Sequence, residues 1–289
     1  IVMMSCAVLN VILDPILIFG WGPVPALGIK GAALATVIAR ALGASASLLI
    51  LHFKHRLIDW SRPHLRQMLD SWKNIILLGI PAALTQALTP IAQGYYIRLA
   101  AGVGGVQAVA AMATGTRIET IVFIISMAYS MAIVPFVGQN YGANAHDRVQ
   151  SARRLSTRFA LMYSSVTLVL LIAGARWISG WFSDDPTVLK LSVTYLLIAA
   201  LGHAGLHTTT WLSQILNVIG KPKPVMVVSL TRVFILIMPL CFLGSRFFGF
   251  TGLVTGLAVA NLLSGAQAYF ATRTQLRGSK PAIDTAQNK

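Results

Sequence analysis

The sequence predicts an all-α integral membrane protein, and three observations carry that prediction. Of the 289 residues, 56% are hydrophobic and only 11% charged, where a soluble domain carries about 25% charge; the mean hydropathy is +0.72. Eight apolar stretches follow one another, near residues 1–20, 31–51, 75–97, 106–136, 155–173, 191–213, 224–244 and 251–271. Each approaches the roughly 20 residues that a helix needs to cross a bilayer, and each is continuous, unlike the alternating segments of about ten residues in a membrane β-barrel. Finally, the connections alternate in charge. Fifteen of the 23 Lys and Arg fall near 52–74, 138–158, 217–224 and after 271, and five fall near 21–30, 98–105, 174–190 and 245–250. That split is the positive-inside bias, which predicts cytoplasmic basic loops, a cytoplasmic C-terminus and a first helix running outward. The net charge of +15 is thus an orientation signal, and no nucleic-acid partner is expected; the expected partner is the lipid bilayer.

The first stretch opens with "IVMMSCAVLN", inside an apolar run with neither a basic leader nor a cleavage pattern, so upstream helices are expected to precede it. It carries Asn10 and Asp14, four residues apart and therefore on one helix face. Pro15 removes a donor to the carbonyl of residue 11 and disfavours helical geometry at Asp14, so a bend is predicted there. A carboxylate, an amide and freed carbonyls make an oxygen-rich pocket suited to a proton or Na⁺. The alternative is that Asp14 only satisfies the loosened helix. Intramembrane acids are costly and mark function by default, and of the eight acids only Asp14 and Glu119 lie within spans.

The second stretch contains "GIKGAALATVIA" (28–39), which echoes "GFTGLVTGLAVA" (249–260) in the eighth, with Gly28 on Gly249, Gly31 on Gly252 and Ala39 on Ala260. Small residues recur wherever membrane helices pack closely, and internal repeats are common in transporters. Residues 52–74 are cationic, bear Pro63 and carry Trp60 and Trp72; they predict a linker between two helix bundles, with a short interfacial helix near Leu65–Trp72.

In the third stretch Pro81 and Pro90 predict kinks, and Gln86 and Gln93, seven residues apart, share a face. They either line a substrate passage or hold helices together. The fourth bears Arg117 and Glu119, two residues apart and so on different faces; each has a structural and a transport reading. His203 and His207 in the sixth stand one turn apart without a third ligand, which predicts core or cavity-lining histidines. The seventh holds Arg232 and Cys241; with Cys6, this cysteine predicts a small buried hydrophobe, with no disulfide or metal framework. No Ser/His/Asp grouping, Walker loop or dinucleotide pattern occurs, so neither an enzyme nor an ATP-driven pump is expected, and no cofactor beyond a transported cation.

Taken in order, "NVILDPILIFG", "PALGIKGAALATVIAR", "GIPAALTQ", "VPFVGQNYGANAHDR" and "QILNVIGKPKP" resemble the multidrug and toxic compound extrusion (MATE) transporters, over nearly all of the chain up to about residue 275. The resemblance implies helices five to twelve of a two-lobed, twelve-helix transporter. Residues 1–51 would be the remnant of the N-terminal lobe with two membrane helices, 52–74 the cytoplasmic inter-lobe loop, 75–275 the six-helix C-terminal lobe, and 276–289 a cytoplasmic tail. The DinF-like branch of this family uses an Asn and an Asp four residues apart on the fifth helix and a Thr on the sixth. Asn10 and Asp14 match in type and spacing, and Thr36 is the natural match for the Thr. Acids that other members carry on their seventh and tenth helices have no counterpart in 75–97 or 191–213, which favours an N-lobe mechanism over a C-lobe one.

The function expected from this resemblance is an H⁺- or Na⁺-coupled antiporter in the inner (plasma) membrane, exporting amphipathic and cationic organic compounds or drugs by alternating access. Neutralisation of Asp14 from outside would relax the Pro15 bend and shift the two-state equilibrium. A lipid-linked saccharide flippase of the same superfamily is the alternative that Arg40, Arg117 and Arg232 keep open. A non-transporting membrane enzyme or scaffold would be indifferent to Asp14→Asn.

Overall fold

A computed structural model describes residues 2–21, 25–54, 56 and 65–277. It divides into two compact units, Ile1–Asp70 and Ser71–Lys289. Trp60 and Pro63 of the expected linker, and the tail from residue 278, lie outside the described residues.

The first unit is an antiparallel pair of helices, α1 (Val2–Phe19) and α2 (Ile29–Leu49), with a π-helical turn over Ile50–Lys54 extending α2. Leu27 N donates to the Leu17 carbonyl at 3.0 Å and Gly28 N to that of Ile18 at 3.1 Å, closing the connection. The seam is cut from small residues: Gly31, Ala35, Ala39 and Gly43 are the buried face of α2, spaced by one helical turn. A Cβ on Gly31 would lie 2.1 Å from the Leu17 carbonyl oxygen, and one on Gly43 2.3 Å from Cys6 Sγ. The helices approach this closely because lipid offers no hydrophobic drive and contact must come from close packing. Helix α1 runs on through Pro15 to Phe19 as one element. A proline deletes one donor, and the ladder on either side carries the helix on.

The second unit holds α3 (Leu65–Val122) from Ser71 onward, α4 (Ile124–Gly142), α5 (His146–Gly180), α6 (Pro186–Val218), α7 (Pro222–Leu230), a π-helical segment Thr231–Ile237, and α8 (Met238–Arg277). A straight helix as long as α3, at 58 residues, would span about 87 Å, far beyond a bilayer of about 30 Å. The run is broken instead at Gly105 (φ 60°, ψ −149°), and α8 is broken at Gly249 (φ 58°, ψ −139°). Six helical runs among the described residues are long and apolar enough to cross a membrane. Divided at these two glycines, and with α4 continuing the rod from 106, they give the eight rods that the apolar stretches predict.

Several expected connections are shorter than the sequence implied. Residues 98–104 and 245–248 are helical, so the outer turns shrink to single glycines. The connection near 174–190 shrinks to Trp181–Asp185, where Asp185 caps α6: its Oδ1 accepts from Thr187 N at 2.7 Å and Val188 N at 3.2 Å, with Pro186 at the first helical position, the usual start signal. Leu65–Trp72 is not a separate interfacial helix but the opening turns of α3. That helix is likewise uninterrupted at Pro81 and Pro90, and Thr85 Oγ1 donates to the Pro81 carbonyl at 2.8 Å.

The echo between the second and eighth stretches is a backbone correspondence. Gly28 (φ 55°, ψ −131°) adopts the geometry of Gly249, and Gly105 adopts it as well. Each is followed three residues later by a buried small residue, Gly31, Ala108 or Gly252, that lets the new helix start against its neighbour.

Two apolar clusters form the core of the second unit. One gathers residues such as Met112, Tyr195, Leu196 and Leu253; the other gathers Val137, Val149, Leu212 and Ile215. On α6 they are separated by His203, His207, Thr208 and Thr209, all buried. The polar band therefore sits near the middle of a membrane-length helix.

Candidate functional site: a polar chamber in the second unit

Between these clusters lies a cavity of about 560 Å³, lined from α3, α4, α6, α7, the π-helical segment and α8. Glu119 is one of its lining residues, with a side chain 13% exposed. Tyr195 Oη donates to Glu119 Oε2 at 2.9 Å, and His203 Nε2 pairs with Oε1 at 2.9 Å. Both partners project from α6, 76 and 84 residues away in sequence. An ionised carboxylate is acceptor-only, so in that state both neighbours donate.

One turn on, His207 Nδ1 meets Ser126 Oγ at 2.9 Å, and Trp211 Nε1 donates to the Ser126 carbonyl at 3.2 Å. Phe123 packs edge-on to both imidazoles, with ring centroids 4.9 and 5.0 Å away. Trp211 stacks on His207 at 5.3 Å. His203 Nδ1 and His207 Nε2 are enclosed without a protein partner. On the far wall Arg232 donates from Nε (3.3 Å) and Nη2 (2.9 Å) to Asn261 Oδ1. Arg232 sits in the π-helical segment Thr231–Ile237, the kind of local widening that recurs at functional sites.

The glycine seam between α6 and α8 sets the wall's position. A Cβ on Gly205 would lie 2.1 Å from the Asn261 carbonyl oxygen, and one on Gly202 2.8 Å from Ala258 Cα. Only glycine lets α8 come near enough for Asn261 to hold Arg232 beside the chamber.

The structure sorts the sequence-based candidates. Glu119, Gln86 and Gln93 line the chamber, as do His203, His207 and Arg232; the two glutamines are thus cavity residues. Arg117 is exposed and absent from the lining, so it is not brought to Glu119. In the first unit, Asn10 and Asp14 are half-buried on α1 and Thr36 half-buried on α2. The contacts of Cys6 with Gly43 and of Leu17 with Gly31 put Thr36 level with the turn between Asn10 and Asp14. Thr36 Oγ1 donates to the Ala32 carbonyl at 3.1 Å, and Asn10 Nδ2 is enclosed without a partner. Sequence reasoning did not single out Tyr195, Ser126 or Asn261. Isolated polar residues in apolar helices carry no spacing signal; only their distant partners reveal them.

Membrane-length helices around a polar cavity define a polytopic α-helical membrane protein. The particular lineage follows from comparison: the MatE family profile matches residues 81–243, and the chain belongs to this multidrug and toxic compound extrusion family. It is 34% identical over 269 residues to a protein of Shewanella oneidensis named FAD transporter, covering 93% of this chain and 59% of that protein. It is 26% identical to the multidrug export protein MepA of Staphylococcus haemolyticus, over 93% of this chain and 58% of MepA. Its fold matches the crystal structure of the Vibrio cholerae MATE transporter VcmN in the bent form, with a TM-score of 0.84 and 28% identity over 96% of this chain and 62% of that one. The chain thus spans about three-fifths of the length of these relatives.

Proposed function

We propose that this chain serves cation-coupled export of small organic compounds across the plasma membrane, with Glu119 as a coupling carboxylate. One observation carries the reading: Glu119 is held in the cavity by Tyr195 and His203 of the membrane-length helix α6. Adding a proton or a Na⁺ there changes what the carboxylate can do. Once protonated, one oxygen becomes a donor, and Tyr195 Oη or His203 Nε2 has to switch from donating to accepting. The chamber wall then has two arrangements with different cation affinities, which is what a ligand needs in order to shift a conformational equilibrium. Inverting a 1:99 population takes about 5.5 kcal/mol of differential affinity between the two states.

A second coupling site at Asp14, Asn10 and Thr36 is favoured by the unpartnered Asn10 amide and by the shared level of the three residues. The two readings separate in one experiment. Export is driven into inverted vesicles with the pH and Na⁺ gradients imposed independently. Glu119→Gln is expected to abolish gradient-driven export at normal expression, and Asp14→Asn to do so only if the first unit also couples. Export against a gradient by Glu119→Gln overturns the assignment.

For the substrate, amphipathic organic cations fit an aromatic chamber with one carboxylate. The relative named FAD transporter, together with Arg232 on the wall, favours an anionic flavin nucleotide instead. Competition of ethidium and FAD for the same export activity discriminates between them. The family carries no catalytic step into this reading, so the chain acts as a carrier without a bound cofactor. A cytoplasmic C-terminus follows from the charge bias of the loops.

A further inference from the structure

Away from the chamber, at the end of the second unit where α5 begins and α8 finishes, lies a separate pocket of about 250 Å³. Gln150, Arg153, Arg154, Tyr269, Arg273 and Leu276 line it. Three guanidinium groups and no carboxylate share this small space.

Arg153 is the informative member. Only 7% of it is exposed, its guanidinium carbon sits 4.9 Å from the centroid of the Tyr269 ring, and its Nε and Nη1 are enclosed with no protein hydrogen-bond partner. Burying a charged fork with two unmet donors is costly. Tyr269 gives the guanidinium a cation–π face and a hydroxyl partner, yet Nε and Nη1 still have no acceptor. Arg154 and Arg273 add charge of the same sign, which raises the cost further and makes the pocket attractive to an anion.

We propose that this pocket binds a phosphate group, with Arg153 as the buried anchor and Arg154 and Arg273 closing over it. Three observations select phosphate. Guanidinium forks match its oxygens bidentately. Several cations converge on one small volume. The pocket lies where the apolar part of α5, near residue 155, gives way to its basic opening turns, which is the level of lipid headgroups. The phosphate comes either from an anionic phospholipid or from a soluble phosphorylated compound. Bound there, it would bridge the start of α5 to the end of α8.

The test uses the purified protein in detergent and in nanodiscs, read by thermal unfolding and by native mass spectrometry of retained lipid. The probes are phosphatidylglycerol, phosphatidylcholine and inorganic phosphate, with chloride as the ionic-strength control. Stabilisation and retention of phosphatidylglycerol over phosphatidylcholine, without an effect of inorganic phosphate, identifies a lipid headgroup. Stabilisation by inorganic phosphate beyond chloride identifies a soluble ligand. In either case Arg153→Gln weakens the effect at least tenfold. If that variant fails to fold, Arg154→Gln and Arg273→Gln combined, at an exposed and a half-buried position, are expected to weaken it to a similar degree. No preference for any phosphate-bearing probe, or a preference undiminished in a folded variant, overturns the proposal.

Discussion

Glu119 illustrates how a costly group becomes a device. Its side chain is only 13% exposed in the cavity wall, and two partners from α6 hold both of its oxygens. Removing the Tyr195 hydroxyl withdraws a hydrogen bond to a charged acceptor, worth about 1.5–3 kcal/mol, while leaving the buried ring in place. Tyr195→Phe is therefore expected to lower the apparent melting temperature in detergent by several degrees, and to weaken cation dependence of export without abolishing it. An unchanged melting temperature would show that the hydroxyl is satisfied elsewhere. Arg117, two residues from Glu119, shares none of this, since consecutive odd positions on a helix face different ways.

Glycines govern how the helices are joined and packed. Gly28, Gly105 and Gly249 share a conformation, φ near +55° to +60° with strongly negative ψ, that a side chain disfavours. Holding a substituted residue there costs about 1–3 kcal/mol. Gly249→Val is expected to reduce folded yield and thermal stability, and Gly105→Val to do so comparably, whereas Gly79→Val, which meets nothing within 4 Å in an unbroken helix, is expected to be tolerated. Size-exclusion profiles and melting curves of the three variants check this. Gly205 is different in kind: its geometry is helical, and the clash with the Asn261 carbonyl is what forbids a larger residue. Gly205→Leu is expected to push α8 away and dislodge Arg232 from the chamber wall.

For the molecule as a whole, orientation is the property to test. The charge bias of the connections predicts Ala145 on the cytoplasmic side and Ser183 outside, and the two flank opposite ends of α5. In a background with Cys6 and Cys241 replaced by Ala, Ser183→Cys is expected to react with a membrane-impermeant maleimide in intact cells, and Ala145→Cys only after permeabilisation. The reverse pattern would overturn the orientation and, with it, the direction assigned to transport. That both native cysteines pack among apolar neighbours, Cys241 fully buried and Cys6 against Gly43, makes the background substitution benign.

By itself the sequence determined that the chain is helical and membrane-spanning, the number and approximate limits of its rods, and the family to which it belongs. These follow from hydropathy, loop charge, turn residues and local motifs, all of which are properties of neighbouring residues. Even the equivalence of Gly28 and Gly249 was legible, because a positive-φ helix start demands the same residue each time. The tertiary structure alone decided which polar residues meet. Glu119 finds Tyr195 and His203 across 76 and 84 residues, and Arg153 finds Tyr269 and Arg273 from the other end of the unit. No spacing rule encodes such encounters; they arise when small residues allow helices to pack within reach of one another, and the cost of an unmet polar group in hydrocarbon selects its partner.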